Sequence, residues 1–512
     1  MLLSIVVTRR ALRLIYIYVD ITYILLIEST IVRDYDKLLR LEYRTDTIDS
    51  INESLIYHQK IEMARMFSQS TLVSNNAACF LLMTIPMLLV CGCTDDATKT
   101  SDLATADTQI VNQPAVEPRP ADDTAAITKI EEMYGEVFKA DDGIVNFVDF
   151  GGAFGESVDL SVLSGVPYVE RLVLNGASVS DDDLVHLTDL KHLKILDLGE
   201  TRVSDAGMLT LKSLTSLEEI NLQRTDITDT GFGHLLELPK LRRFKMVRCK
   251  ISDAGLALVK NRTDIIVLDL KECINVSDVG LAHLAGIKDL KFLRVWGSQI
   301  TDQGMAHLVG LTKLVHLGLD DTKVGDVGMV SIGKLSNLQN LEMYQTDITS
   351  DGMQHIAGLL KLQYLKVRGT LVDSSAMASL ANMTVLKRLD LSETQVGDAG
   401  LLDLSELASI QDLNLWATQV TDEGLNHLTS LTNLVKLNLD QTEVGDEGLK
   451  LIGQLSTLKT LILRSTQITD DGIEHLLTLT NLEDLNVEFC ASLGDAGKML
   501  IQEKLPNMVL TQ

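Results

Sequence analysis

The chain has 512 residues, 46% hydrophobic and 23% charged, an ordinary globular balance that excludes disorder throughout. A formal net charge of −26 excludes a surface that tracks nucleic-acid phosphates, which needs a concentrated positive field, and bare anionic lipid would repel it as well. Aromatic residues make up only 4%, low for a compact enzyme of this size, while Leu, Thr, Asp and Gly recur at regular intervals.

The front of the chain opens with MLLSIVVTRRALRLIYIYVDITYILLIEST, apolar but broken by Arg9, Arg10, Arg13 and Asp20. Residues 1–62 hold six of the ten tyrosines and read as a doubtful extension upstream of a start at Met63; a second transmembrane helix is the competing reading. Residues 63–93, MARMFSQSTLVSNNAACFLLMTIPMLLVCGC, have a short positive start, an apolar run over 77–90 and a small residue before a cysteine. That pattern predicts a signal peptide over 63–92. Its apolar run is shorter than the roughly 20 residues a spanning helix needs, and an uncleaved anchor is the alternative. The terminal VCGC resembles a bacterial lipobox, which implies lipidation at Cys93 and a place in the cell envelope, lipid-anchored at the outer membrane or on the periplasmic side. Thr94 after the cysteine leans toward the outer membrane. Residues 93–124, rich in Asp, Ala and Thr and carrying three of the seven prolines, predict a disordered tether.

Residues 125–147 predict an N-terminal cap, beginning with an amphipathic helix over 125–134 that folds over the first strand. From 148 to 512 the chain repeats itself. SDAGMLTLKSLTSLEEINLQRTDI, TDQGMAHLVGLTKLVHLGLDDTKV and TDEGLNHLTSLTNLVKLNLDQTEV are variants of one 24-residue unit, the signature of a solenoid. About fifteen coils follow, from Val148/Phe150 to Leu485/Val487, and two carry one extra residue, in KECINVSD and EFCASLGD. Alternation in LVKLNLD predicts a short strand with its leucines inward. The x-Gly-Leu-x-x-Leu-x-x-Leu spacing predicts a short helix, with the preceding Asp as its N-cap; Ser157, Ser350 and Ser374 replace that Asp. Strands stack about 4.8 Å apart and helices roughly 8–10 Å, so the array must curve with its parallel sheet inside. At the far end, LPNMVLTQ stops partway through a would-be strand.

LxxLxLxxT followed by VTDxGLxxLxxL resembles the leucine-rich repeat superfamily, in its cysteine-containing or ribonuclease-inhibitor-like class. Cys249, Cys273 and Cys490 occupy the slot that Thr418 and Thr442 fill elsewhere. The resemblance implies an α/β horseshoe with the parallel sheet on the concave face and short helices on the convex face, and it implies a binding protein, usually for other proteins.

Candidate chemistry is sparse. Seven of the ten histidines, His186, His234, His283, His307, His355, His427 and His475, share one place in the repeat. Zinc needs ring nitrogens about 2.0–2.1 Å from one ion, whereas these positions lie a helix diameter apart, so they read as surface helix residues. One regular Asp per coil falls short of the six or more oxygens of a calcium site. No phosphate loop, nucleophile elbow or convergent carboxylate pair is present; the chain reads as no enzyme, with no metal and no cofactor. Cys249 and Cys273, one coil apart, are near enough for a disulfide, and two buried thiols in a Thr-like slot are the other reading.

Aromatics mark the candidate site. From Val169 onward there are eight, and only Phe232 and Phe244 replace core leucines. Phe292, Trp296, Tyr344, Tyr364, Trp416 and Phe489 fall at or beside outward strand positions, where burial contributes least. Arg294, His316, Lys366, Arg368 and Arg388 accompany them, the composition of a binding hot spot. The alternative is that the rings lie over neighbouring side chains and shield the sheet. Arg243, Lys245 and Arg248 form a second basic patch. The expectation is an exported, membrane-tethered repeat protein that binds a protein partner through its concave face. An F-box-like intracellular substrate-recognition subunit and a glycan-binding repeat protein are the alternatives.

Overall fold

The computed structural model describes residues 120–512. The extension, the signal, Cys93 and the tether up to residue 119 lie outside the described residues. The Asp123 carboxylate accepts the Ala125 amide at 2.8 Å and starts helix α1 (Thr124–Glu132), which buries Ala126 and Ile130. The chain then forms β1 (Glu136–Lys139), which runs antiparallel to β2 (Val145–Asp149). The N-terminal end is thus covered by a helix and a hairpin together, not by a helix alone. Its turn carries Asp142-Gly143 with Gly143 at φ +82°, a two-residue signal that favours hairpins because glycine enters the left-handed region without a Cβ clash.

From β2 onward the strands are parallel, one per coil. They are β3 (Arg171–Val173), β4 (Ile195–Asp197), β5 (Glu219–Asn221), β6 (Arg243–Lys245), β7 (Val267–Asp269), β8 (Phe292–Arg294) and β9 (His316–Gly318). There follow β10 (Asn340–Glu342), β11 (Tyr364–Lys366), β12 (Arg388–Asp390), β13 (Asp412–Asn414) and β14 (Lys436–Asn438). The last three are β15 (Thr460–Ile462), β16 (Asp484–Asn486) and β17 (Val509–Thr511). Together they make one open 17-stranded sheet. Leu341 sits opposite Leu365, 24 residues on, whereas Leu268 sits opposite Leu293 and Leu485 opposite Leu510. The two extra residues are therefore absorbed in the loops, and the sheet register is kept. The final segment forms a full strand on β16 rather than stopping partway.

Inside, each strand leucine stacks on its counterparts in neighbouring coils; Leu317, Leu341, Leu365 and Leu413 are fully buried. Phe232 and Phe244 enter this core and pack edge to face at 5.4 Å. The opposite wall is built of short helices, some α (Asp229–Leu235) and some 3-10 (Ser374–Leu380). A 24-residue coil leaves no length for more than two turns. The sheet lines the concave face and the helices the convex face.

The repeated Asp has a different task from the one its sequence position suggests. In the coil beginning at Asp253, the N-cap is Ser252, whose Oγ accepts the Ala254 amide at 3.2 Å. Asp253 is the first helical residue, and the carboxylate that matters to this helix is Asp229 of the preceding coil. Its Oδ1 accepts the Ser252 amide at 2.8 Å and its Oδ2 accepts the Ser252 hydroxyl at 2.5 Å. The same bridge recurs from Asp181 to Ser204 through Asp446 to Thr469. Where Ser374 replaces Asp it still accepts the Gly397 amide, at 2.9 Å. The carboxylate stitches coil to coil, because the local cap position is already filled by Ser, Thr or Gly.

Candidate functional site

Three outward positions per coil face the concave side: two in the strand and one just beyond it. Beyond the third, the backbone turns through the left-handed region at residues such as Glu393 and Ala417 (φ +56° and +53°). That strain is held by a ladder in which Glu393 N–H donates to Trp416 O and Ala417 N–H to Asp440 O. The turn fixes where the third side chain projects.

At coils β7 to β9 the outward residues interlock. Arg294 grips Asp269 with Nε, at 3.1 and 3.2 Å, and with Nη2. Its stem crosses Gly318, where a Cβ would lie 2.7 Å from Arg294 Cγ and force that side chain to shift. Phe292 stacks on His316 with ring centres 4.1 Å apart and planes within 10°. Burial, then Arg294, pulls the His316 imidazole down to about 4. His316 Nδ1 faces Asn340 Nδ2 at 3.3 Å, and Nε2, 3.5 Å from Glu342 Oε1, has no hydrogen-bond partner. Burial, then Asp320, raises the Glu342 carboxyl above its usual range. Trp296 is half-buried and its indole N–H donates to Asp321 Oδ2 at 2.7 Å.

From β10 to β13 the arrangement is a stack of rings and cations. The Arg368 guanidinium lies 4.9 Å from the Tyr344 ring centre and 4.7 Å from that of Trp416, while its Nε donates to Glu393 at 2.7 Å. Lys366 Nζ sits 4.9 Å from the same Tyr344 ring and 3.4 Å from Asp320 Oδ2. Arg388 covers Tyr364 at 4.6 Å and remains mostly exposed.

The structure therefore brings Phe292, Arg294, Trp296, Tyr344, Tyr364, Lys366, Arg368, Arg388 and Trp416 onto one face, with two corrections. Tyr344 is buried, only 7% exposed, because Lys366 and Arg368 close over it and Gly369 (φ +67°) leaves room beside the ring. Lys366 and Arg368 are equally covered, their side chains 14% and 17% exposed. Desolvation in a ring-lined groove favours pairing these cations with acids of neighbouring coils, so they stiffen the strip and are not loose contacts. Of the second patch, Arg243 and Lys245 project from β6, Lys245 pairing with Glu219 at 2.7 Å. Arg248 lies instead in the turn beyond the strand, 3.6 Å from Glu272, so the three do not form one cluster. Phe489 is exposed at the turn position, under Arg464 at 4.7 Å.

A family model described as leucine-rich repeat region matches residues 289–490, and one described as leucine rich repeat matches residues 189–212 and 213–232. The described coils form a leucine-rich repeat array. Among solved structures it is similar to an internalin from Listeria monocytogenes, 24% identical, covering 71% of this chain and 94% of that one with a TM-score of 0.49. It is also similar to a leucine-rich repeat protein of Leptospira interrogans, 17% identical over 69% of this chain and 92% of that one, TM-score 0.46. A third is the plant peptide hormone receptor RGFR1 in complex with RGF2, 14% identical over 68% and 62%, TM-score 0.38. Comparison with curated protein sequences returns no match.

The leucine-rich repeat geometry also settles where the remaining residues stand. Cys249, Cys273 and Cys490 are buried free thiols. Cys249 Sγ donates to Leu222 O at 3.0 Å and Cys273 Sγ to Met246 O at 3.1 Å, each a carbonyl of the preceding coil. Thr418 in the same slot donates to Leu415 O of its own coil at 2.6 Å. The seven repeated histidines are half-buried or exposed on the helix side. The acids that anchor the strip, Asp269, Asp320, Glu342 and Glu393, are not among the rings and cations by which the sequence marks the site. Their signal was present: Asp269 and Arg294 stand 25 residues apart, at adjacent outward positions once the coils are written as columns.

Proposed function

We propose that this leucine-rich repeat protein binds a protein partner through the concave strip between Trp296 and Trp416. The observation that carries the reading is the placement of large rings on the outward face, locked by buried ion pairs and half-exposed at Phe292, Trp296, Tyr364 and Trp416. Rings held in place by ion-paired neighbours lose little entropy on binding, the property of interface anchors. Shielding of the sheet alone would not require the strip to be so stiffly paired. Replacing both Trp296 and Trp416 with Ala is expected to weaken capture of the native partner by more than about 2 kcal/mol per anchor, with the fold retained. An unchanged partner set in cross-linked pull-downs from native cells would end this reading. A glycan ligand is the second reading, favoured by the same half-exposed indoles; binding to a glycan array with no captured protein selects it.

We also assign the chain to the cysteine-containing class, on Cys249, Cys273 and Cys490. The lipobox-like VCGC supports export and a lipid anchor at Cys93 in the cell envelope, with the segment expected over 93–124 as tether. Intact-mass and N-terminal analysis of the native product tests this: a mature chain that begins at Met1 or Met63 contradicts it.

A further inference from the structure

The acidic balance of the chain breaks down in one place. Between residues 240 and 250 stand Lys240, Arg242, Arg243, Lys245, Arg248 and Lys250, and the fold distributes them over two faces. Arg248 and Lys250 lie in the turn beyond β6, with Arg202 and Arg224 in the corresponding turns of the two preceding coils. These four line a shallow cavity of about 590 Å³ together with Thr201, Thr225 and Asp226. We propose that this cavity binds a tetrahedral oxyanion, a phosphate or sulfate group carried on a larger molecule.

Three observations support the assignment. First, four cations of three successive coils line one cavity in a protein of net charge −26, three of them paired with Glu200, Glu272 and Asp226 and the fourth, Arg202, in excess. Second, the ion pairs they make lie at or near the surface. Arg224 meets Glu200 through Nη1 at 2.9 Å, Arg248 meets Glu272 through Nε at 3.6 Å, and Lys250 meets Asp226 at 2.7 Å with both side chains mostly exposed. Such pairs contribute roughly 0–1 kcal/mol, so an incoming dianion can exchange with them at little cost. Arg202 is exposed and has no ionic partner among the described residues. Third, the backbone fixes the spacing. Arg224 and Arg248 occupy the same left-handed position one coil apart (φ +54° and +59°), pinned by Arg224 N–H to Val247 O and Arg248 N–H to Lys271 O.

Adjacent coils place these two guanidinium roots about 4.8 Å apart, a separation one tetrahedral group can bridge with different oxygens. A single carboxylate is satisfied by one planar fork, whereas a tetrahedral oxyanion presents three terminal oxygens and up to two charges. Arg202 and Lys250, two coils apart at the margins, remain to meet the rest of the ligand. Thr201 and Thr225 donate their hydroxyls to Leu198 O and Leu222 O, so recognition rests on the four cations.

The test titrates the full chain with inorganic sulfate, inorganic phosphate and, at matched ionic strength, chloride, followed by calorimetry and melting temperature. Saturable binding of the tetrahedral anions beyond chloride is expected. Arg202→Ala combined with Arg248→Ala is expected to lose at least tenfold in affinity with an unchanged far-UV spectrum, whereas Lys313→Ala combined with Lys459→Ala, which removes two equally exposed cations elsewhere, retains it. A phosphoserine peptide and a sulfated disaccharide then separate the two sources, and tighter binding of either supports the site. Equal effects of chloride, equal losses in the two double variants, or failure of both organic probes to bind overturns it. This surface and the concave strip fail separately, because neither test replaces a residue of the other.

Discussion

At Gly255, a Cβ would fall 2.2 Å from Asp229 Oδ1, while the next obstacle outside Asp229 is Ile251 Cγ2 at 3.3 Å. The Asp of one coil and the Gly of the next thus form a single device: the carboxylate needs the space that glycine leaves in order to reach Ser252. Asp229→Ala should cost about 1–3 kcal/mol, since the Ser252 amide and hydroxyl lose their acceptor. Gly255→Ala should also destabilise, and the double variant should recover part of that loss because the clashing oxygen is gone. The expected coupling is about 1–2 kcal/mol in a urea-denaturation cycle; strict additivity would show that the two residues do not share this space. Ala417, at φ +53°, offers the opposite opportunity. Its left-handed backbone costs an L-residue roughly 1–2 kcal/mol, which glycine avoids at a smaller entropic penalty, so Ala417→Gly should stabilise by about 0.5–1 kcal/mol. Ala417→Val should destabilise, and denaturation midpoints that order the three differently would remove the strain argument.

Among the elements, α1 carries the seal of the first coil. Ile130 is fully buried against it, and Ile130→Ala should cost about 2–5 kcal/mol. Amide exchange should quicken across β1 to β4 and remain slow at β14 to β17, because contacts pass only between neighbouring coils; uniform acceleration would argue for a single cooperative core. The turn slot after β6 and β7 holds the thiols. Burial raises Cys249 from the ordinary 9.0 to about 11 and Cys273 to about 12. A raised folded value means that the folded state holds its protons longer. The associated stability is fully present below about pH 9 and is lost as pH rises through 11. The variant Cys249→Thr with Cys273→Thr should therefore lose less stability than the parent between pH 9 and 11 in denaturation series, and parallel slopes would exclude the thiols as the source. At this scale the aromatic strip was legible because outward positions follow from period-two alternation. The covering of Tyr344 was not, since it depends on Lys366 and Arg368 folding back over a ring one coil away.

For the whole molecule, stability is a chain of nearest-neighbour contacts. Leu341→Ala in the middle strand should cost about 2–5 kcal/mol, with exchange quickening most in β9 to β11; protection lost equally at both ends would contradict the stacked-coil picture. The linear sequence by itself determined the solenoid, the inward leucines and the outward rings, because each follows from a periodicity within one 24-residue unit and needs no knowledge of its neighbours. Only the tertiary structure decided what the repeated Asp binds, which cations are spent on neighbouring acids, and which gather around the cavity at Arg202, Arg224, Arg248 and Lys250. Those relations run between coils, across about 24 residues of sequence and one strand spacing of distance. They exist only once backbone hydrogen bonds have set one coil upon the next.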